Sequence, residues 1–274
     1  MGAGEGKKKF DTRRAPNGTY NSGDWRLKKD VFSTAVHGFE ERVDLIEQMS
    51  MAEVLDERST SAEMALDALL IDRESRVSNE VFNEVTFAGT GHSDTVADKW
   101  NVSTADIKSD LRAAANAIKT RMGIGQKNLS LIVNDDLIDY MIDTISSKTN
   151  ISNNVALELA DESTRLAAMT RYLNVKEIIT VSSLYDTTGL NTDSDASFTD
   201  MWRSDFGMLA SLSPTTNSWK AGGLGRQPVF SNLTNNYIAE SYFKPSADSE
   251  ILRVKDQRGE KVFKDFGFLL KGLL

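Results

Sequence analysis

The first thirty residues, here called the leader, differ in charge from the rest of the chain, and this contrast limits the folds open to it. The leader holds eight Lys or Arg side chains against four acids, whereas the whole 274-residue chain carries a net charge of −8. Glycine is frequent in the leader and large apolar side chains are few. Such a segment cannot bury enough surface to offset its own ordering entropy. It needs another surface to lie on, and we expect that surface to be the acidic remainder of a second copy of the chain.

The composition of the chain excludes several classes of chemistry. Cysteine is absent, which excludes thiol catalysis, disulfides and cysteine-ligated metals. The two histidines, His37 and His92, are too few for a His-rich metal site. A pI near 5.0 argues against a surface built to bind nucleic acid. No apolar run reaches the ~20 residues that span a bilayer, and the N-terminus lacks the apolar core of a signal peptide, so a cytoplasm is the expected place of folding.

Residues 10–38 are predicted to form an extended, two-stranded ribbon. Residues 14–18 (Arg-Ala-Pro-Asn-Gly) have the composition of a turn. Residues 25–28 and 31–36 alternate loosely enough to be strands. Because an isolated two-stranded ribbon is marginally stable in water, we expect this one to pack on a neighbouring subunit.

A long helix is predicted over residues 60–85. Thr60 and Glu63 form a capping-box pattern, and no Gly or Pro occurs between Gly38 and Gly89. Three-and-four spacing marks an inner stripe of Ala62, Leu66, Leu69, Leu70, Val77, Val81 and Val85. The opposite face carries Asp67, Asp72, Arg73, Glu74, Arg76 and Glu80. Two interpretations of this face stay open: a solvated surface, or a contact between subunits in which opposite charges set the register.

The remaining pattern indicates an α+β fold. Helices are predicted over residues 104–122 and 155–173, with Gly123 ending the first of them. Another helix is expected to begin after a cap at Asn134. Strands are predicted at 129–133, 175–181, 206–212, 237–243, 251–255, 261–263 and 267–270. The order is not a regular alternation of strand and helix, so α+β is preferred to α/β.

No motif in the chain specifies an active site. Asp135 and Asp136 lie at the N-terminus of one predicted helix, where the helix dipole favours them, and Asp139 and Asp143 extend its polar face. The acids within 191–195 lack the spacing of a calcium loop. Neither histidine accompanies a nucleophile elbow. Trp202 is interpreted as a packing residue and Asp205 as a turn cap. We therefore predict no enzymatic activity, no cofactor and no metal.

In this order the segments resemble the major capsid proteins of tailed bacteriophages, which have the Hong Kong 97-type fold. The resemblance covers about residues 12–272 and depends more on the order of segments than on any single motif. Residues 14–36 resemble the extended E-loop of the family, and residues 62–82 resemble its spine helix. Further matching stretches are 128–134, 172–181, 202–210 and 251–270.

The resemblance implies a division of the chain and a function. It places a short N-terminal arm and E-loop at 1–38, a P-domain with the spine helix at 39–125, an A-domain at 126–213, and P-domain strands at 214–274, the last of which returns to the A-domain. The implied function is a coat protein of hexamers and pentamers that forms an icosahedral head around double-stranded DNA. The implied partners are the chain itself, a portal, a separate scaffolding protein and a decoration protein, with the DNA confined rather than specifically bound and no membrane involved. The implied location is the virion capsid, assembled in the host cytoplasm.

Two sets of residues are predicted to form the contacts between subunits. From the E-loop these are Arg13, Arg14, Trp25, Arg26, Lys28 and Lys29. From the spine helix they are Asp67, Asp72, Arg73, Glu74, Arg76 and Glu80. Two alternatives remain open at this point: an encapsulin-type cellular compartment with the same architecture, and a soluble α+β enzyme or binding protein.

Overall fold

A computed structural model describes residues 31–44, 57–149, 161–188, 195–212, 222–229 and 237–274. The helices are α1 Glu57–Val81, α2 Ile107–Met122, α3 Asp136–Thr149 and α4 Glu162–Leu173. The strands in the first half of the chain are β1 Ala35–Asp44, β2 Ser93–Thr95, β3 Ser130–Asn134, β4 Glu177–Val181, β5 Leu184–Asp186 and β6 Phe198–Asp200. The later strands are β7 Phe206–Ala210, β8 Gly225–Arg226, β9 Ile238–Lys244, β10 Ser249–Arg258, β11 Lys261–Val262 and β12 Gly267–Lys271.

A five-stranded mixed sheet organises one half of the molecule. Its strands lie in the order β2-β12-β7-β3-β4, with β2 parallel to β12, β3 parallel to β4, and antiparallel pairing elsewhere. Every residue of β3 and of β7 is buried. Continuous apolar runs such as residues 131–133 suit a strand covered on both faces. This sheet therefore has packed cores on both of its sides.

Helices α2, α3 and α4 form the core on one face of this sheet. Leu111, Ile118, Leu137, Met141 and Leu173 pack there against β3 and β12. On the opposite face, the end of α1 and the residues just after it join a second core that contains Trp202 and Phe206. Phe82 meets the rings of Trp202 and Phe206 edge to face, with centroids 5.3 and 6.1 Å away.

The boundaries that the sequence marks with Gly123 and Asn134 are confirmed, whereas the predicted start of α2 at residue 104 is wrong, because α2 begins at Ile107 after a cap at Asp106. Gly123 ends α2 in the left-handed region at φ 65°, and its N–H donates to the Lys119 carbonyl. The Asp106 side chain accepts from the Ser109 N–H at the start of the same helix. The Asn134 side-chain oxygen accepts from the Asp136 N–H at 2.9 Å, which places this residue before α3 as expected.

The long helix α1 is displaced from its predicted bounds at both ends. It begins at Glu57, so Thr60 and Glu63 lie within its first turns and do not cap its start. It ends at Val81, because the Asn83 side-chain oxygen accepts the N–H groups of Val85 and Thr86 in a turn. Val85 was predicted on the inner stripe but is 84% exposed, since the helix has already ended. Over 25 residues α1 is about 37 Å long.

An antiparallel sheet of three strands, in the order β1-β10-β9, lies beside α1. All ten residues of β1 pair with β10, from Ala35 opposite Arg258 to Asp44 opposite Ser249. Ala65 and Leu69 of α1 pack with Val254 of this sheet in a third core. The prediction of a strand over residues 31–36 is wrong in its bounds, because β1 begins at Ala35. Residues 35–38 were predicted to lie on a neighbouring subunit as part of the ribbon. They instead pair with β10 of their own subunit, which stabilises this part of the chain as a strand.

His92 directly precedes β2, a short strand that the sequence did not predict. Arg121 of α2 lies beside it, with Nη1 2.6 Å from His92 Nδ1 and Nη2 donating to the Gly267 carbonyl at 3.0 Å. Because a guanidinium can only donate, the Arg121 contact requires Nδ1 to accept, although the Lys264 carbonyl lies 3.3 Å from the same Nδ1 and would require it to donate. Burial, together with the charges of Arg121 and Lys264, lowers the pKa of His92 below its usual 6.5. The Lys264 carbonyl at 3.3 Å and Asp265 at 3.9 Å oppose this shift only in part.

We therefore expect the stability of the fold to fall as the pH drops below about 6.5. The unfolded chain binds a proton at His92 more readily than the folded chain does, so the contribution is complete above that pH and is lost below it. Thermal unfolding between pH 7.5 and 5 measures the effect. In His92→Gln the amide oxygen can still accept from Arg121 and does not titrate, so the pH dependence should be weaker than in the wild type. An equal or steeper acid loss in the variant would contradict this role of His92.

Candidate assembly surface

The inward side of α1 is occupied by contacts within the subunit. Arg73 donates to the Tyr237 hydroxyl at 2.8 Å and to Gln227 Oε1 at 2.6 Å. Glu74 accepts from Trp202 Nε1 at 2.9 Å and from the Ser183 hydroxyl. These half-buried side chains connect the helix to several other parts of the same chain.

A third charged residue of α1, Arg76, is also engaged within the subunit. It donates to Asp72 and lies 3.4 Å from Glu260 Oε1 and 3.1 Å from His37 Nδ1. Sequence analysis missed these contacts because their partners are distant in the chain. The one local signal was the four-residue spacing of Asp72 and Arg76. Arg73, Glu74 and Arg76 are therefore bound inside the subunit, and their role between subunits stays a prediction.

The remaining predicted residues of α1 point outward. Asp67 and Asp72 are exposed and Glu80 is half-buried. Within the described ranges, no ion pair involves Asp67 or Glu80. Asp72 pairs with Arg76 and lies 3.7 Å from His37 Nδ1, yet its side chain remains 55% exposed. Of the six predicted residues of α1, Asp67 and Asp72 are therefore the two that remain exposed on its free side, and their role between subunits stays a prediction.

An apolar stripe runs along the same outward side of α1. Met64 is 57% and Ile71 47% exposed, and Ala68 lies between them at helical spacing. Asp67 and Asp72 occupy positions beside this stripe. Exposed apolar side chains bordered by charge are typical of a protein contact surface.

A groove separates α1 from the first residues of β1. Its walls are Val36, His37, Gly38 and Phe39 from the strand and Ala68, Leu69 and Asp72 from the helix. The groove is open to solvent and has a volume of about 470 Å³. The groove is mainly apolar, and the Asp72 carboxylate stands at its border.

The predicted E-loop contacts lie outside the described residues. This applies to Arg13, Arg14, Trp25, Arg26, Lys28 and Lys29. What the structure describes is the point where this segment joins the subunit: Gln257 Nε2 donates to the Thr34 hydroxyl at 3.3 Å, and β1 pairs with β10 from Ala35 onward. The position predicted to divide the E-loop from the P-domain, between residues 38 and 39, falls inside β1.

The described residues hold no group of three or more His, Cys, Asp or Glu side chains placed to bind a metal ion. Among the helices of these same ranges, none is long and apolar enough to cross a bilayer.

Trp202 is buried as predicted, and its indole N–H donates to Glu74 rather than to a ligand.

Comparison with solved structures identifies the fold. A phage-related protein from Bordetella bronchiseptica superimposes with a TM-score of 0.68 at 16% identity, over 99% of this chain and 84% of that one. The mature capsid of bacteriophage PhiM1 gives 0.51 at 12% identity, over 94% and 79%. An encapsulin from Synechococcus elongatus gives 0.52 at 8% identity, over 88% and 74%. No protein-family model and no curated protein matches the sequence.

These similarities define an α+β fold that is shared with phage capsid proteins and an encapsulin. It is the capsid fold of tailed bacteriophages, the Hong Kong 97-type fold, as the resemblance in the sequence implied. At identities of 8–16% the comparisons establish the fold alone.

Proposed function

We propose that the chain is the major capsid protein of a tailed bacteriophage, which assembles into an icosahedral head around double-stranded DNA. The observation that supports this most strongly is the shared fold, which extends over 94% of this chain in the PhiM1 capsid comparison. The acidic free side of α1 and the basic leader add a physical reason for self-association. In this proposal the A-domain, about residues 126–213, surrounds the axis of each hexamer or pentamer. Portal, scaffolding and decoration proteins would complete the head.

A shell of this kind can be held by many weak contacts. The basic leader of one subunit would lie over α1 of the next, where Asp67 and Asp72 are exposed. Each exposed ion pair contributes only about 0.2–1 kcal/mol. Because every subunit repeats the contact with its neighbours, the total becomes large, while single wrong contacts still dissociate during growth.

The first test is the size of the purified protein. A capsid protein should form closed particles visible by negative-stain electron microscopy, whereas an isolated enzyme or binding protein would remain a species of about 30.3 kDa. A stable monomer at all concentrations and salt conditions would contradict the proposal.

A cellular encapsulin-type shell is the second candidate, because the encapsulin superimposes as well as the PhiM1 capsid does, with TM-scores of 0.52 and 0.51. The two functions differ in what the particle encloses. Particles from the natural source should hold nuclease-resistant double-stranded DNA if the chain is a phage capsid protein. A protein cargo without a genome would favour the compartment.

Reversing two leader charges should impair assembly without unfolding the subunit. In Lys28→Glu/Lys29→Glu, two attractions to the acidic side of α1 become repulsions. We expect the protein concentration needed for assembly at about 0.15 M salt to rise at least tenfold, an effect of about 1.4 kcal/mol. Light scattering during assembly measures this, and circular dichroism should show an unchanged fold.

The matched control is Lys119→Glu/Lys127→Glu, which makes the same change of net charge at two exposed positions outside α1 and the leader. It should assemble nearly as the wild type does. If the leader variant gave the wild-type particle yield at about 0.15 M salt and low protein concentration, the charges of Lys28 and Lys29 would have no part in assembly.

A further inference from the structure

Strand β9 forms one edge of the three-stranded sheet beside α1. Within the described part of the chain it pairs with β10 alone, so the N–H and C=O groups on its other side have no strand partner there. All of its residues after Ile238 are exposed, among them Tyr242 at 40% and Phe243 at 51%. A long exposed edge strand that carries aromatic side chains and no Pro is a template for pairing with another strand.

The charges of β9 do not oppose such pairing. The strand holds one acid and one base, Glu240 and Lys244, which cancel. Glu240 Oε1 lies 2.6 Å from Lys255 Nζ, whereas Arg253 Nη1 approaches Glu240 Oε2 only to 3.9 Å. Lys244 is exposed and makes no ion pair within the described ranges. One carboxylate oxygen and one ammonium group of β9 can therefore bind partners outside the subunit.

The order of side chains along β9 makes the strand complementary to its own reverse. In an antiparallel pair of two copies centred on Tyr242, Glu240 of each copy lies opposite Lys244 of the other, and Ser241 lies opposite Phe243. Tyr242 meets its counterpart on the same face as the two ion pairs, because residues two apart share a face. The two Phe243 side chains lie on the other face at diagonal positions, within reach of each other.

The opposite edge of the same sheet lacks this complementarity. Strand β1 carries Glu40, Glu41 and Asp44 against Arg42. Two copies of β1 would bring an excess of negative charge together, and like charges on facing strands destabilise pairing. Of the two edges, β9 is the one suited to a second copy.

We propose that β9 of one subunit pairs antiparallel with β9 of a second copy about a two-fold axis at Tyr242, so that two three-stranded sheets join into one. The occupant of this edge is a second copy of the chain rather than a different protein, because the strand matches its own reverse in charge. This inference rests on the proposed shell function and assigns one contact within it.

The symmetry of the contact determines its place in a shell. A two-fold contact uses the same patch on both subunits and is complete with two copies, whereas a ring of subunits needs two different patches joined head to tail. Pairing through β9 therefore does not build a hexamer or a pentamer but joins subunits of neighbouring rings. Each cross-strand pair adds little by itself, so the contact depends on repetition over the shell.

Disulfide trapping tests the contact without background, because the chain has no cysteine. Oxidised particles of Tyr242→Cys should yield a covalent homodimer, since facing residues of antiparallel strands have Cα atoms about 4.5–5.5 Å apart, within the range of a disulfide. The matched control is Lys244→Cys on the same exposed strand. Its two copies would lie about 14 Å apart and should give at least tenfold less homodimer.

A double variant tests the two-fold symmetry and leaves Tyr242 in place. In Glu240→Cys/Lys244→Cys each cysteine faces the other one across the axis, so both disulfides join the same two chains and the product is a dimer. A head-to-tail contact through the same residues would instead give a ladder of longer covalent oligomers, which would overturn the two-fold arrangement. Circular dichroism checks that each variant keeps the fold.

Reversing the charge of Lys244 provides an independent measurement. Lys244→Glu places a carboxylate opposite Glu240 at both ends of the contact, and the protein concentration needed for assembly at about 0.15 M salt should rise about tenfold. Lys127→Glu makes the same change of net charge at an exposed position outside the sheet and should assemble as the wild type does. Equal assembly by Lys244→Glu and Lys127→Glu would overturn the register centred on Tyr242.

The inference and the shell function can fail separately. Particles in which neither Tyr242→Cys nor the double variant forms a disulfide above the Lys244→Cys background would overturn the inference and leave the shell function standing. A Tyr242→Cys homodimer from a chain that forms no particles would reject the shell function and leave the β9 pairing standing. The absence of both particles and homodimer would reject both.

Discussion

Trp100→Ala is expected to lower the free energy of unfolding by about 3–5 kcal/mol, the range for removing a fully buried Trp. Trp100 is 0% exposed within the core that α2, α3 and α4 share with the sheet. Its indole N–H donates to Asp110 Oδ2 at 3.0 Å, and its main-chain carbonyl accepts from the Thr144 hydroxyl at 2.7 Å. The Trp100 side chain therefore connects the segment that precedes α2 to α2 itself. The Trp100 main chain connects the same segment to α3.

Trp100→Phe separates packing from hydrogen bonding at this position. It keeps most of the apolar volume but leaves the half-buried Asp110 carboxylate without its indole donor, a loss of about 1–2 kcal/mol. Burial raises the pKa of Asp110 and the indole hydrogen bond opposes that rise, so the pKa should increase further in the Phe variant. Chemical denaturation and NMR titration measure the two effects. If the Phe and Ala variants were equally unstable, the hydrogen bond and not the packing would dominate.

Arg258→Met is expected to cost about 3–5 kcal/mol, because it would leave a buried carboxylate without its counter-charge. Arg258 and Asp256 of β10 are 4% and 1% exposed, and Arg258 Nε lies 2.7 Å from Asp256 Oδ2. The guanidinium also stacks on the Tyr237 ring, with 4.9 Å to the centroid, and Met retains part of that apolar contact.

The matched control for Arg258→Met removes both charges. Asp256→Leu/Arg258→Met exchanges the pair for apolar side chains, and such exchanges are often close to neutral. The double variant should therefore unfold nearer to the wild type than the single variant does. Urea denaturation compares the three proteins, and a double variant as unstable as Arg258→Met would show that the charge of Asp256 is not the cause of the loss.

Local signals in the sequence were sufficient for much of the fold. Gly123 and Asn134 mark helix boundaries through their own backbone and side-chain geometry, so α2 and the start of α3 could be predicted. The apolar run at 131–133 was sufficient for β3. The order of these elements differs from a regular βαβ alternation and so indicated an α+β fold, and the resemblance to the capsid fold depended on the same order of segments.

Elements whose partners are far away in the chain could not be placed in this way. β1 forms on β10, about 210 residues later, and β2 forms on β12, so neither strand is stable on its own residues. The same distance hides the contacts of α1: Glu74 meets Trp202, 128 residues away, and Arg76 meets Glu260, 184 residues away. A pattern of charges on a helix shows that a face is polar, but it does not show which charges are already paired.

The pairing of β1 with β10 has a mechanical consequence for any shell built from this chain. The ten residue pairs lie side by side along the strands, and the leader continues from the Ala35 end of β1. A pull on the leader along the strand axis strains all the cross-strand hydrogen bonds together, since these bonds run perpendicular to that axis. Tension from an adjacent subunit is thereby transmitted through Val254 and Leu69 into the long helix without peeling the strand from its sheet.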